Sequence, residues 1–134
     1  RRLALLPELG AGLVSCDASG TLTFRKPAPG FPLPRFGAAC PLWPLYAALG
    51  RPQQAMDRDV QMAGPDGRRF RVQAWGVVQR PFGLRGPDLH AAAMLILPEA
   101  PGSHPALPIG SSCRVCPRTA CPARREPSIL NDGA

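Results

Sequence analysis

Arg68–Val78 reads Arg-Arg-Phe-Arg-Val-Gln-Ala-Trp-Gly-Val-Val, and this stretch decides the fold class. Phe70, Val72 and Ala74 alternate with arginine and glutamine. Because successive side chains of a strand point to opposite faces, the pattern predicts an antiparallel strand with one face on the core and the other in water. The nearly continuous apolar run His90–Leu97 has the length of a central strand and is predicted to lie in the same sheet.

The sequence before this strand predicts a hairpin, a helix and one further strand. Gly12–Ser15 and Thr21–Phe24 are predicted strands on either side of a turn at Asp17–Gly20, where Asp and Gly suit the backbone of a turn. Pro41–Leu49 carries apolar residues at helical spacing and is followed by glycine, which predicts a helix. Asp57–Met62 is a predicted strand that leads through a tight turn into the long one.

Two proline-rich stretches, Lys26–Pro34 and Pro98–Pro108, are predicted loops, because proline lacks the N–H that a strand ladder needs. The predicted fold is therefore α+β: an antiparallel five-stranded sheet with a helical crossover, similar to PAS and GAF domains, plus a C-terminal cysteine-rich metal-binding segment. We expect residues 1–108 to form the sensor core and residues 109–134 to pack on it, so that the two make one domain.

Composition and charge restrict the class of protein. The chain has 134 residues, 45% of them hydrophobic, and a net charge of +7 that is carried almost entirely by arginine. This length suits one domain with a real core. Arginine recognises phosphates and carboxylates, so nucleic acid, an anionic cofactor and a negatively charged cluster fit the charge equally well. No apolar run could span a membrane, and the N-terminus lacks a secretory signal and is typical of a piece of a longer protein. The clustered cysteines favour metal over disulfides, so we expect a reducing cytoplasm.

Three of the five cysteines form a C-x2-C-x4-C run, Cys113, Cys116 and Cys121. Cysteines at i and i+3 can direct both sulfurs at one point, and Pro117 permits the reversal that the third requires. Such clustering favours a metal centre over a redox disulfide or inert thiols. Zinc and an iron–sulfur cluster both accept four thiolates, and the Cys-Pro dipeptides favour a [4Fe-4S] cluster, with zinc as the alternative.

Cys40 is the predicted fourth ligand. It lies at the start of the predicted helix, where the helix dipole favours a thiolate, and proline follows it as it follows two cysteines of the run. Cys16, inside the first hairpin, is predicted to be a buried core thiol instead. His90 and His104 remain alternatives for the fourth position.

Other side chains are candidates for supporting roles. Arg114 and Arg118 are predicted to neutralise the centre from a second layer around the ligands. Trp43, Arg69 and Arg71 are weak candidates for binding a ligand; core packing for the tryptophan and solvation for the arginines are the simpler interpretations. No catalytic residue is predicted, because the sequence has no Ser-His-Asp or Cys-His arrangement and no phosphate-binding glycine loop. The chain is therefore not expected to be an enzyme.

The cysteine run also carries a family resemblance. Ile109–Arg118 together with Cys121–Pro127 resembles the C-terminal end of bacterial XRE-type short-chain fatty acyl-CoA regulators, which include the propionate-metabolism regulators of actinobacteria. Cys40–Leu49 resembles the Cys-Pro-x-Trp helix start of that family, and Pro65–Gly67 with the strand after it is a further match. The matches cover most of residues 36–126.

The resemblance implies the C-terminal ligand- or redox-sensing domain of a transcription regulator, in which a separate helix-turn-helix domain binds DNA. It implies a [4Fe-4S] cluster on Cys40, Cys113, Cys116 and Cys121, and acyl-CoA as a candidate ligand. We expect a homodimer without membrane contact. The alternative hypothesis is a structural zinc-binding module that mediates protein–protein contacts.

Overall fold

The computed structural model describes residues 10–35, 38–63, 67–98, 105–113, 116, 121–124 and 129. Within these ranges the elements in chain order are β1 (Gly12–Asp17), β2 (Leu22–Lys26), α1 (Pro44–Leu49), β3 (Met56–Met62), β4 (Arg69–Gln79), a short 3-10 helix (Gly83–Arg85), β5 (Leu89–Leu97) and β6 (Leu107–Ile109).

The strands form one six-stranded sheet in the order β2-β1-β5-β4-β3-β6. Neighbours pair antiparallel, except that β6 runs parallel to β3. The register places Val14 beside Met94, Met94 beside Ala74, and Ala74 beside Met56, so buried side chains lie in one row across the sheet. The sheet is therefore mixed and six-stranded, and the prediction of five purely antiparallel strands is wrong.

The additional strand, β6, comes from a stretch predicted to be entirely loop. Pro108 lies opposite Gln61 in the parallel pairing of β6 with β3. Because β6 is at the edge of the sheet, its proline needs no partner for the N–H that it lacks, which is the position where strands tolerate proline. The backbone N–H of Ala63 also donates to the carbonyl oxygen of Ile109 at 2.7 Å. The predicted boundary between residues 108 and 109 thus falls inside a strand.

The crossover helix is shorter than predicted. α1 begins at Pro44, which occupies its first turn, and ends at Leu49. The residues from Cys40 to Trp43 form a turn instead, closed by a 3.1 Å hydrogen bond from the Trp43 N–H to the Cys40 carbonyl oxygen. The chain is mostly β rather than α+β, because this helix has only 6 residues.

The first hairpin is confirmed, with strands that continue past their predicted ends at Ser15 and Phe24. The Asp17 carboxylate accepts hydrogen bonds from the backbone N–H of Ser19 at 2.9 Å and of Thr21 at 3.3 Å. Gly20 has a φ of +88°, a conformation that side chains with a Cβ rarely adopt. The turn predicted at 64–67 lies mostly outside the described residues.

An aromatic cluster closes one face of the sheet. The rings of Phe31 and Trp43 lie 5.3 Å apart, and those of Phe31 and Phe70 lie 5.1 Å apart edge to face. Phe31 belongs to the predicted loop Lys26–Pro34, so this loop folds inward over the sheet and contributes to the core. The largest fully buried side chains are Trp43, Phe31, Phe70, Leu45, Met94, Ile96, Ile109, Val14, Val60, Val72 and Cys16.

The opposite face of the sheet is open to solvent. Trp75 and Val77 of β4 are more than a third exposed, and Arg71 lies on the same face of that strand. The alternation predicted for Arg68–Val78 is therefore confirmed, with Phe70 and Val72 buried.

Candidate metal centre

The four cysteines predicted as ligands line one partly open cleft. Its walls come from the turn before α1 and from the segment after β6. The lining residues are Cys40, Pro41, Leu42, Ile109, Gly110, Ser112, Cys113, Cys116, Cys121 and Arg124. Two segments that are distant in sequence therefore bring four thiols to one place.

Main-chain and side-chain hydrogen bonds join these walls. The backbone N–H of Cys40 donates to the carbonyl oxygen of Ser111 at 2.9 Å. The indole N–H of Trp43 donates to the carbonyl oxygen of Gly110 at 2.6 Å in a buried position. Because the second bond is shielded from water, its loss would leave a buried carbonyl without this donor. Cys40 is held against the cysteine run by the main chain as well as by its side chain.

The Cys113–Cys116 turn packs closely on the residue that follows β6. The Cys116 N–H lies 3.4 Å from the Cys113 carbonyl oxygen, which closes the turn. A Cβ at Gly110 would lie 3.0 Å from the sulfur of Cys116, so only glycine fits there without displacing the sulfur. Cys113 and Cys116 are buried, whereas Cys121 is half-buried. The cysteine run thus rests on the end of β6.

Arg124 organises the cysteine run from its far end. Its backbone N–H closes a turn on the Cys121 carbonyl oxygen at 3.3 Å. Its guanidinium donates to the carbonyl oxygens of Cys113 at 2.9 Å and Cys116 at 3.1 Å. One residue therefore links the segments that carry all three cysteines of the run, two through its side chain and one through its backbone.

Sequence reasoning assigned the supporting role to Arg114 and Arg118, which lie outside the described residues. The signal for Arg124 is its position three residues after Cys121, the same spacing that separates Cys113 from Cys116. A turn at this spacing returns the arginine toward the other cysteines.

Burial governs the protonation of Cys40. Desolvation raises the pKa of its thiol above the ordinary value of 9.0, and the nearby Cys113 and Cys116 add to that rise. Hydrogen bonds with the backbone of Gly110 and Leu42 act in the opposite direction. The expected stabilisation of a thiolate by the helix dipole is wrong, because α1 begins only at Pro44. A metal that binds here would have to displace the thiol proton.

The chemistry of the donor set fits a thiolate-held centre, because four cysteine thiols line the cleft. Among the described residues, no group of three or more His, Cys, Asp or Glu side chains is arranged to hold a metal ion. A tetrahedral zinc site with Zn–S bonds of about 2.3 Å requires sulfurs about 3.8 Å apart. In an iron–sulfur cluster each thiolate binds a different iron, so the sulfurs lie further apart around a larger core.

The remaining cysteine and histidines are separate from this cleft. Cys16 is 1% exposed in β1 and does not line the cleft, as expected of a core thiol. His90 is exposed at the start of β5, and it does not line the cleft either. His104 lies outside the described residues.

The three weak ligand-binding candidates have partners within the fold. Trp43 is 1% exposed and packs in the core. Arg71 forms a paired hydrogen bond with Asp57 across β3 and β4, with Nε 3.0 Å from one carboxylate oxygen. Arg69 lies 3.9 Å from the carboxylate of Asp59. A phosphate would have to compete with these aspartates for either arginine.

The comparison with known families identifies the chain. Residues 9–132 match the family described as "Short-chain fatty acyl coenzyme A regulator, C-terminal". The chain belongs to this family. As a short-chain fatty acyl coenzyme A regulator domain, it carries the cysteine cleft within the part that matches.

Its relatives are bacterial transcription regulators. The domain is 31% identical over 131 residues to the HTH-type transcriptional regulator RamB of Mycobacterium tuberculosis, covering 87% of this chain and 27% of RamB. It is 33% identical over 144 residues to the propionyl-CoA carboxylase regulator of Cereibacter sphaeroides, covering 96% of this chain and 31% of that protein. The chain thus spans less than a third of the length of the curated relatives that it matches.

A solved structure shares the fold. A Mycobacterium tuberculosis transcriptional regulator superposes with a TM-score of 0.77 at 28% identity, covering 92% of this chain and 41% of that one. These relatives are regulators and not enzymes, in agreement with the prediction that this domain of the acyl coenzyme A regulator family is not an enzyme. No helix in the described part of the chain is long and apolar enough to cross a membrane.

Proposed function

We propose that this chain is the sensing domain of a longer transcription regulator and that it holds a [4Fe-4S] cluster on Cys40, Cys113, Cys116 and Cys121. One observation carries the proposal: the four cysteines, from two distant segments, line a single cleft. Such a cluster would supply a group that responds to oxidants and reductants. The protein residues hold it, and they join the cysteine run to the core through Cys40.

The runner-up is a structural zinc site on the same thiols. Four cysteines satisfy zinc chemically, so ligand identity alone does not separate the two. The prolines that follow Cys116 and Cys121 favour the cluster, because Cys-Pro dipeptides also occur in the cysteine runs of ferredoxins.

The regulatory part of the proposal comes from the family and its relatives. RamB is named an HTH-type regulator, and the chain covers only 27% of it. We therefore place DNA binding in a separate helix-turn-helix part of the longer protein, which acts as a homodimer in the reducing cytoplasm. From the family description, the ligand is a short-chain acyl-CoA, bound on a PAS- or GAF-like core.

A pair of cysteine variants tests the metal centre. The wild-type chain, Cys40→Ala and Cys16→Ala are purified without oxygen, and their iron, sulfide, zinc and visible absorption are measured. We expect wild type and Cys16→Ala to be brown, to contain iron and sulfide, and to bleach with dithionite, while Cys40→Ala loses both elements. Cys16 is the matched control because it is a buried cysteine outside the cleft.

Two results would contradict this assignment. A colourless wild type with stoichiometric zinc and no iron would establish the structural zinc module instead. Full iron and sulfide content in Cys40→Ala would remove Cys40 from the ligand set while leaving the cluster itself.

The acyl-CoA ligand needs its own experiment. Isothermal titration compares propionyl-CoA with free CoA on the wild-type chain, on Arg69→Ala and on Arg71→Ala. We expect propionyl-CoA to bind more tightly than CoA, because recognition of the acyl group requires contacts that CoA lacks. A loss of affinity in either variant assigns that arginine to the phosphates, and no heat with any acyl-CoA rejects the ligand.

A further inference from the structure

The guanidinium of Arg124 makes contacts that metal binding alone does not require. It donates to two main-chain carbonyl oxygens, those of Cys113 and Cys116, at 2.9 and 3.1 Å. The Cys113 carbonyl oxygen is also the acceptor of the Cys116 N–H, so the arginine reinforces a turn that is already closed. The same residue closes the turn that begins at Cys121.

We propose that Arg124 is a positioning residue that holds the cysteine run in the arrangement in which its thiols can bind a metal centre. Its guanidinium donates to the carbonyl oxygens of Cys113 and Cys116, while its backbone N–H donates to the carbonyl oxygen of Cys121. The arginine therefore sets the position of the Cys113–Cys116 turn relative to Cys121. The inference rests on the proposed function, because it assigns the residue to the same cleft.

The chemistry of arginine makes this role specific. A guanidinium presents several N–H donors in one rigid plane, so that it can reach two acceptors at once. A lysine ammonium carries the same charge at a single point on a flexible stem. If Arg124 acted only by neutralising the negative centre, lysine would replace it. If Arg124 acts by donating to two carbonyl oxygens at once, lysine cannot replace it.

The guanidinium is half-buried, which strengthens the argument. Arg124 lines the cleft, and both of its carbonyl bonds are partly shielded from water. By contrast, Arg25 donates to the carbonyl oxygen of Pro34 at 3.1 Å at an exposed position outside the cleft. Arg25 therefore provides a matched control: an arginine that also bonds a main-chain carbonyl but does not line the cysteine cleft.

Thiol reactivity in the metal-free chain tests the proposal. Wild type, Arg124→Lys, Arg124→Gln and Arg25→Gln are reduced, freed of metal with a chelator and treated with iodoacetamide. Peptide mass spectrometry then gives the alkylation rate of each cysteine. In both Arg124 variants we expect Cys113 and Cys116 to react about tenfold faster, the factor for losing one hydrogen bond from a charged donor. Cys16 and the Arg25→Gln variant should keep wild-type rates.

The direction of the change in alkylation rate distinguishes a positioning role of Arg124 from a purely electrostatic one. Removing a nearby cation disfavours thiolate and slows alkylation, so faster reaction has to come from greater exposure of the sulfurs. A second measurement follows iron release to a chelator from the reconstituted chains. We expect release to be about tenfold faster in Arg124→Lys than in wild type or Arg25→Gln.

Three results would overturn the positioning role. Wild-type alkylation rates in both Arg124 variants would show that the two hydrogen bonds do not position the Cys113–Cys116 turn. Wild-type behaviour of Arg124→Lys with a defect only in Arg124→Gln would show that charge suffices. Equal acceleration of Cys16 would show that the whole domain has loosened. A wild type that binds no iron removes the proposed cluster, yet the alkylation rates still decide the role of Arg124.

Discussion

Trp43 links the core of the sheet to the cysteine run through one buried atom. Its ring packs on Phe31, and its indole N–H reaches the carbonyl oxygen of Gly110. Replacing Trp43 by Phe keeps an aromatic ring and removes the donor. We expect the free energy of unfolding to fall by about 2 kcal/mol, because a buried carbonyl loses its partner. Urea unfolding followed by far-UV circular dichroism measures it.

The matched control is Trp75→Phe. Trp75 is 39% exposed on the open face of the sheet, so the same chemical change there should alter stability by no more than about 0.5 kcal/mol. Equal losses in the two variants would mean that ring size, rather than the bond to Gly110, accounts for the effect.

Cys16 gives the domain a predicted sensitivity to alkali. Burial, the largest effect, raises the pKa of its thiol above 9.0; the Asp17 carboxylate adds to this, and a backbone hydrogen bond with Ala92 opposes it. The folded state therefore keeps its proton at a pH where the unfolded chain has lost it. The contribution to stability is complete below the unfolded pKa and is lost as pH rises through the folded pKa.

Unfolding free energies between about pH 8 and about pH 10 check this sensitivity. Wild-type stability should fall across the range, and Cys16→Ala should fall less steeply. The variant is not expected to be flat, because burial also raises the pKa of Cys40. Parallel curves for the two proteins would show that Cys16 does not contribute.

At the scale of residues, sequence reasoning could separate the two buried cysteines, and the spacing of Arg124 from Cys121 could indicate a turn, but the contacts of Arg124 could not be predicted. Cys16 follows a short apolar stretch predicted to be a strand, whereas Cys40 precedes a proline as two cysteines of the run do. The role of Arg124 depends on where two carbonyl oxygens point after the loop has folded. No residue pattern encodes that direction.

α1 approaches the sheet closely enough that β4 needs a glycine beneath it. A Cβ at Gly76 would collide with the carbonyl oxygen of Ala48 in the last turn of the helix. Gly76→Ala should therefore destabilise the domain by about 1–3 kcal/mol, since the helix or the strand must move. Thermal or urea unfolding of the variant measures this loss.

Gly50→Ala provides the comparison within the same helix. A Cβ there would meet only the Ala47 carbonyl oxygen at 3.7 Å, an ordinary contact, and the φ of −83° suits any residue. We expect a change within about 0.5 kcal/mol. A larger loss for Gly50→Ala than for Gly76→Ala would contradict the packing explanation.

At the scale of elements, sequence predicts strands that have a clear pattern of apolar side chains. It does not predict elements whose bounds depend on which neighbouring segments they bond. β4 and β5 have the patterns of half-buried and central strands. β6 contains Pro108, and only its place at the edge of the sheet makes a strand possible there. α1 begins later than predicted for a similar reason. The residues from Cys40 to Trp43 are compatible with a helix, but they form a turn that donates hydrogen bonds to Gly110 and Ser111.

For the whole molecule, the cleft connects the first half of the chain with its last part. A centre bound to Cys40 and to the cysteine run would bind the folded state only, so its removal should destabilise the entire domain. We expect the loaded chain to unfold at least about 5 °C above the metal-free chain. Differential scanning calorimetry under anaerobic conditions measures the two midpoints.

The same cysteine variants provide the control for this prediction. In Cys40→Ala the loaded and metal-free midpoints should coincide, whereas Cys16→Ala should keep the wild-type difference. A difference that persists in Cys40→Ala would mean that the centre stabilises only the cysteine run and leaves the two halves of the chain unlinked.

β6 has a further consequence for how the protein behaves at high concentration. Its 3 residues cover the outer edge of β3, and Pro108 makes β6 itself a poor template for another strand. Because Ile109 leads directly into the cleft, a cysteine segment that separates from the core takes β6 with it. The uncovered edge of β3 would then offer unpaired backbone groups to other copies of the chain. The charged residues Asp57, Arg58 and Asp59 of β3 would disfavour such pairing and so limit aggregation.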